Sequence, residues 1–216
     1  MTAQSPLLSS PLPNMLDAVN PGLVLKLTPP RLRKRLLPRE RLRQMRVDAD
    51  DCSVILLEAP AGYGKTSLLA LWRQDWQQAG AQVCWFDLDS DDTISSVGGG
   101  LIEGLRRATG QPNFGHESLE ALLRGSGLAQ AITSLLAEIA ENAHPTVIIL
   151  DNGERIDNPE LIELCNYLLH NLPPNLQIVI GSRVRSPLAV GDLLAHGLLR
   201  RVTAKNLQFT LEETHS

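Results

Sequence analysis

Five short apolar runs punctuate the chain at regular distances: SVILLE (53 to 58), QVCWFDL (82 to 88), TVIIL (146 to 150), LQIVI (176 to 180) and LLRRVT (198 to 203). Each is too short for a core helix and is rich in branched residues, so each predicts a strand. The segments between them carry a helical period. Residues 65 to 78 place Leu68, Leu69, Trp72 and Trp76 on one face, and 128 to 140 do the same with Leu128, Ile132, Leu135, Leu136 and Ile139. Asn158 is a candidate N-cap ahead of Pro159, with Leu161, Leu164, Cys165 and Leu168 inward on the helix that follows. Strand then helix, repeated, predicts an α/β fold: a five-stranded parallel sheet with helices on both faces, in three layers.

The pattern fails at the N-terminus. Residues 1 to 25 are rich in Ser, Pro and Asn without a sustained period, which predicts a disordered leader, then one domain over 26 to 213 and a tail at 214 to 216. Pro38 suits the first position of a helix carrying Leu42 and Met45. The segment SSVGGGLIEGL (95 to 105) is helical by its flanks, although each of its four glycines costs about 1 kcal/mol relative to alanine inside a helix. It is no dinucleotide fingerprint, because Glu103 stands where GxGxxG needs its third glycine.

Charge changes this picture in one place. The net charge is only -4, yet residues 31 to 46 hold eight Arg and Lys against one Glu, leaving 12 basic and 23 acidic residues elsewhere. Such a stretch is either a solvated face or neighbour of a nucleotide site, or an arm for nucleic acid. Three cysteines without CxxC spacing and five scattered histidines suggest neither disulfides nor a zinc site, and a reducing cytoplasm fits. The N-terminus lacks the basic start of a signal peptide, and no apolar run reaches the roughly 18 residues of a membrane span.

The chemistry is carried by APAGYGKTS, residues 59 to 67, set between the first core strand and its helix. Main-chain NH groups of Ala61, Gly62, Tyr63, Gly64, Lys65 and Thr66 would converge on an anion at the positive end of the helix dipole. Gly62 and Gly64 let the backbone approach phosphate oxygens, Lys65 can bridge the β and γ phosphates, and the Thr66 hydroxyl can take one position on Mg2+. Ala59, Pro60 and Ser67 complete the loop. Ala59 stands where GxxxxGK[ST] begins with glycine, and a positive φ there would cost about 1 to 2 kcal/mol.

A second half-site is expected at the end of another buried strand. Asp151, closing TVIILD, can hold Mg2+ through a water opposite Thr66. Asn152 follows where a carboxylate would polarise an attacking water; an amide can orient water but takes no proton. Arg183, in IVIGSR, either reaches the γ phosphate or caps a loop by pairing with a surface carboxylate. Of the acidic cluster Asp87, Asp89, Asp91 and Asp92, Asp89 is the candidate to stand near the metal.

With APAGYGKTS, VIILDN, VIGSR and KLTPPRLRKRLLPRERL in view, the chain resembles the nucleotide-binding module of MalT-like, LuxR-type regulators, of the STAND class of P-loop NTPases. The resemblance covers Lys26 to Glu213. It implies a P-loop NTPase fold with sheet order 5-1-4-3-2, ATP or ADP with Mg2+ as ligands, and a place for Arg39, Glu40 and Arg41 over adenine and ribose. It further implies a regulatory switch in which ATP promotes self-association, or association with a full-length regulator. The family's second acidic residue is replaced by Asn152, so hydrolysis is expected to be slow or absent. The sequence given stops at LQFTLEETHS, before the family's helical and DNA-binding parts, and is expected to represent a truncated or split regulator. The alternative is a protein-interaction fragment that no longer needs nucleotide.

Overall fold

The computed structural model describes residues 21–32, 39–125 and 127–214. In chain order the elements are α1 (Pro21–Lys26), α2 (Glu40–Val47), β1 (Val54–Glu58), α3 (Lys65–Gln78), β2 (Gln82–Asp87), α4 (Ile94–Thr109), α5 (His116–Arg124), α6 (Leu128–Glu141), β3 (Thr146–Asp151), α7 (Pro159–His170), β4 (Leu176–Ser182), α8 (Gly191–Ala195), β5 (Leu199–Thr203), α9 (Ala204–Leu207) and α10 (Leu211–Thr214). The strands form one parallel sheet in the order β2-β3-β4-β1-β5, as expected.

Because side chains alternate along a strand, each apolar run serves two cores at once. Ile55, Leu57, Trp85, Ile149 and Val179 face α2 and α3, where Trp72 and Trp76 meet edge to face with ring centres 6.0 Å apart. Val54, Leu56, Phe86, Ile148 and Ile180 face the other way, against Leu101 and Leu105 of α4, Leu135 of α6 and Leu164 of α7. Burial on both faces removes about 1.5–3 kcal/mol worth of apolar exposure per large side chain. It also explains why these runs are continuously apolar.

The glycines of α4 repay their poor helix propensity through proximity. A Cβ on Gly100 would enter the ring of Phe86, and one on Gly104 would meet the Cys84 sulfur and Leu27. The helix therefore lies closer to β2 than any side chain there would allow. Thr93 and Ser96 form a reciprocal capping box at its start, and Gly110 in the left-handed region ends it.

Several short elements were not expected from the sequence, among them α8, α9 and α10 of four or five residues each. Residues Pro21–Lys26, spanning the expected boundary between leader and domain, form a helical turn and a half. It is anchored by Lys26, which pairs with Asp89 at 2.7 Å and with the buried Asp92 at 2.5 Å. Six residues are too few to display a period. Residues 1–20, and Pro38 with its expected helix-initiating role, lie outside the described residues; α2 itself starts at Glu40. The unexpected α5 buries Ser118 and Ala121 and packs the partly buried Leu119 and Leu122 against the core, an apolar face the sequence reading did not assign to a helix. Among the described residues no helix is long and apolar enough to cross a membrane.

Gly104→Ala should lower stability by about 1–3 kcal/mol through overpacking against Cys84, while Gly99→Ala, where nothing lies within 4 Å, should raise it by about 0.5–1 kcal/mol through helix propensity. Urea denaturation of the two variants measures both.

Candidate functional site

All five strands point the same way, so β1, β3 and β4 end on one edge, at Glu58, Asp151 and Ser182. β4 lies between β1 and β3, with Glu58 in register with Ser182 and Leu150 with Ile180. The loop after β1 is thereby set across β4 from the loop after β3.

The main chain of Ala59 continues the sheet pairing, its NH donating to the Ser182 carbonyl at 3.1 Å. Gly62 at φ 86° and Gly64 at φ 76° turn the chain back over the start of α3, the conformation for which glycine carries no steric cost. Asn152 is the sole non-glycine residue with positive φ among the described residues, so Ala59 bears none of the strain considered for it. The small residue fits because the turn is made further on, at Gly62 and Gly64.

Lys65 opens α3 and is buried. Its Nζ donates to the carbonyls of Ala59 at 2.6 Å and Pro60 at 3.0 Å, so the ammonium lies inside the curl of its own loop. Burial draws the Lys65 pKa down, the charges of Glu154 and Asp151 draw it up and that of Arg183 lowers it, with a net lowering. Ala61, Gly62, Tyr63, Gly64 and Ser67 line a cleft of about 870 Å3 that continues past Leu68 and Leu71 to Leu207 and Phe209.

Asp151 closes β3 at 3% exposure. Its Oδ1 accepts the Asn152 NH at 3.0 Å, and the Thr66 side chain lies near enough to oppose the rise of its pKa. The two residues expected to share a metal are thus neighbours. Among the described residues no group of three or more His, Cys, Asp or Glu could hold a metal unaided. A hard cation that keeps its waters and phosphate oxygens needs only one or two protein oxygens, which this pair supplies.

The remaining candidates divide. Asn152 sits at φ 56°, with its Nδ2 donating to Asp87 Oδ1 at 2.6 Å. Asp87, in register with Asp151, is therefore the member of the acidic cluster nearest the site; Asp89 is 51% exposed and committed to Lys26. Arg183 leaves β4 with its main-chain NH donating to Glu154 and its Nε in an ion pair with the same carboxylate; Glu154 lies in the 3-10 turn Gly153–Arg155. Sequence reasoning passed over Glu154. The signal was its place three residues beyond Asp151, after an Asn-Gly pair that forces a tight reversal.

Arg39 lines the cleft and stacks over Phe209 at 4.3 Å, while donating to the carbonyls of Leu207 and Gln208 at 2.9 and 2.8 Å. Arg41 does not line it; it binds the Asn206 carbonyl at 2.6 Å and Glu213 at 3.4 Å. Glu40 starts α2.

A glycine-turned loop with a buried lysine between a central strand and its helix, and a carboxylate at the end of a strand one place removed, define a P-loop NTPase module. The chain is 30% identical over 190 residues to the HTH-type transcriptional regulator MalT of Vibrio campbellii, covering 88% of this chain and 21% of that one. It is 32% identical over 168 residues to the serine/threonine-protein kinase PknK of Mycobacterium tuberculosis, covering 74% and 14%. A Walker-type ATPase of Pyrococcus abyssi shares the fold, with a TM-score of 0.54, 16% identity and coverage of 87% of this chain and 58% of that one. No family model matches. The chain is an NTPase module homologous to that of the MalT-like regulators, and it spans about a fifth of their length.

Burial pushes the Asp151 carboxyl above the usual range, against the nearby Thr66 side chain and the Asn152 NH and with help from the charge of Asp87. A folded pKa above the unfolded one means that the folded state holds the proton more tightly, so stability falls as pH rises through that interval and the cost is complete at neutral pH. Asp151→Asn should accordingly raise the melting temperature at pH 7 by about 2–4 °C, and the gain should vanish below about pH 4. Thermal melts across pH check the sign.

Proposed function

We propose that the chain is an ATP- and ADP-binding regulatory module with Mg2+ as the accompanying ion, slow or absent hydrolysis, and a cytoplasmic site of action. The observation that carries this reading is the Lys65 ammonium inside the loop, with Thr66 and Asp151 as neighbours beside it. Carbonyl oxygens are weak partners for a buried ammonium, and a phosphate chain is a stronger one. Entering the curl, it would take over Lys65 and accept NH groups from residues 61 to 66 at the start of α3.

The base and ribose would then fall in the cleft beyond Gly62, where Arg39, Tyr63, Leu68 and Phe209 offer a planar cation and apolar walls. Ser67 lines this region as well, and Arg41 would act through the segment it ties down. When bound, Mg2+ supplies positive charge to the phosphate oxygens; Thr66 and Asp151 are the residues that would hold it.

Asn152 argues for holding over cleaving. Its amide nitrogen is committed to Asp87 and it carries no basic group, so water near Asp151 lacks the proton acceptor that typically contributes about 100- to 10,000-fold. Nucleotide identity rather than turnover would then be the signal, passed on by self-association or by association with a longer relative that reads DNA.

In a thermal-shift series, ATP with Mg2+ at about a hundredfold over its dissociation constant should add about 2.7 kcal/mol to stability. Lys65→Ala should abolish most of that shift while leaving the ligand-free melting temperature within a few degrees. Equal shifts for both proteins would refute the reading, and phosphate release at rates typical of an efficient ATPase would refute the slow-hydrolysis part.

A further inference from the structure

Glu154 is a mostly buried carboxylate at the phosphate loop for which the nucleotide reading has no role. Its side chain is 14% exposed, against 55% for Arg183. Oε2 accepts the Arg183 main-chain NH at 2.9 Å and Oε1 forms an ion pair with Arg183 Nε at 2.9 Å, so one carboxylate holds both the root and the stem of the same arginine. Neither terminal amino group of Arg183 has a hydrogen-bond partner among the described residues.

The grip is rigidly mounted. A Cβ on Gly153 would lie 2.5 Å from the Ile180 side chain and 3.2 Å from the Gly181 carbonyl, so the turn bearing Glu154 is pressed onto β4 directly beneath Arg183. Asn152 in the left-handed region, tied to Asp87, sets the direction of that turn. Lys65 feels the charges of Glu154, Asp151 and Arg183 together, which places all three within electrostatic reach of the loop.

An arginine donates through Nε and four terminal N–H bonds in a fixed plane. A hydrogen bond to the backbone and an ion pair at Nε restrain the side chain beside the turn while leaving the terminal fork to meet an anion. We infer that Glu154 is the positioning residue for Arg183, holding it so that its two free amino groups address the outermost phosphate and give the site a preference for a nucleoside triphosphate over a diphosphate. The inference rests on the nucleotide reading above. It gives Glu154 a task distinct from proton transfer, because both its oxygens are already engaged by Arg183.

The test is direct titration of ATP and of ADP, each with Mg2+, against the unmodified chain, Glu154→Ala, Arg183→Ala and the double variant. The unmodified chain should prefer ATP. Glu154→Ala should weaken ATP binding about tenfold, as expected for loss of one aligned charged hydrogen-bond donor, and change ADP binding by less than about twofold. In the Arg183→Ala background it should change the ratio no further. A purely structural role would weaken both nucleotides equally, and a restraining role would tighten ATP; either result, or no change, overturns the inference. Should circular dichroism show Glu154→Ala unfolded, Glu154→Gln, which keeps the shape and one acceptor, should lose about threefold in the ratio, and an unchanged ratio there overturns it. An unmodified chain that binds both nucleotides equally overturns this inference alone; one that binds neither overturns the nucleotide reading as well.

Discussion

The ammonium of Lys65 bonded to the carbonyls of its own loop is the contact on which the site depends. Without a cation at its centre, a turn that aims two carbonyls at one small volume would be left with unpaired acceptors. The lysine is buried because it opens α3, and α3 is held down by Trp72 and Trp76 packed on the sheet. Helix packing thus fixes where the charge stands, and the charge fixes the shape of the loop.

Strand order contributes the second constraint. Placing β4 between β1 and β3 leaves a gap of one strand between the loop carrying Lys65 and the carboxylate of Asp151, and only side chains from α3 and the strand ends can bridge it. Thr66, the second residue of α3, comes near enough to Asp151 to oppose the rise of its pKa. Gly181 keeps the gap clear: a Cβ there would meet Leu69 at 2.7 Å and Asp151 Oδ1 at 3.0 Å. Burying the acid in this way opposes its charge.

Legibility in the sequence followed burial. The five strands and α3, α6 and α7 were readable because each carries enough apolar residues, in step, to define a face. Lys65, Thr66 and Asp151 were readable because offsets in a loop and a strand end translate directly into position. α5 was passed over although Leu119 and Leu122 stand one helical turn apart, and α1 was hidden by its length. Asp89 was singled out in place of Asp87 because sequence distance from the strand does not reveal that Lys26, from far upstream, claims it. Glu154 escaped for a related reason: its partner lies 29 residues away, just beyond the end of β4.

The cleft beside the loop has one wall with a double duty. Arg39 borders the cavity and at the same time grips Leu207, Gln208 and, through Nε at 3.3 Å, Glu213. The width of the cleft and the posture of the chain beyond β5 are consequently a single mechanical coordinate, so that whatever fills the one must tug on the other.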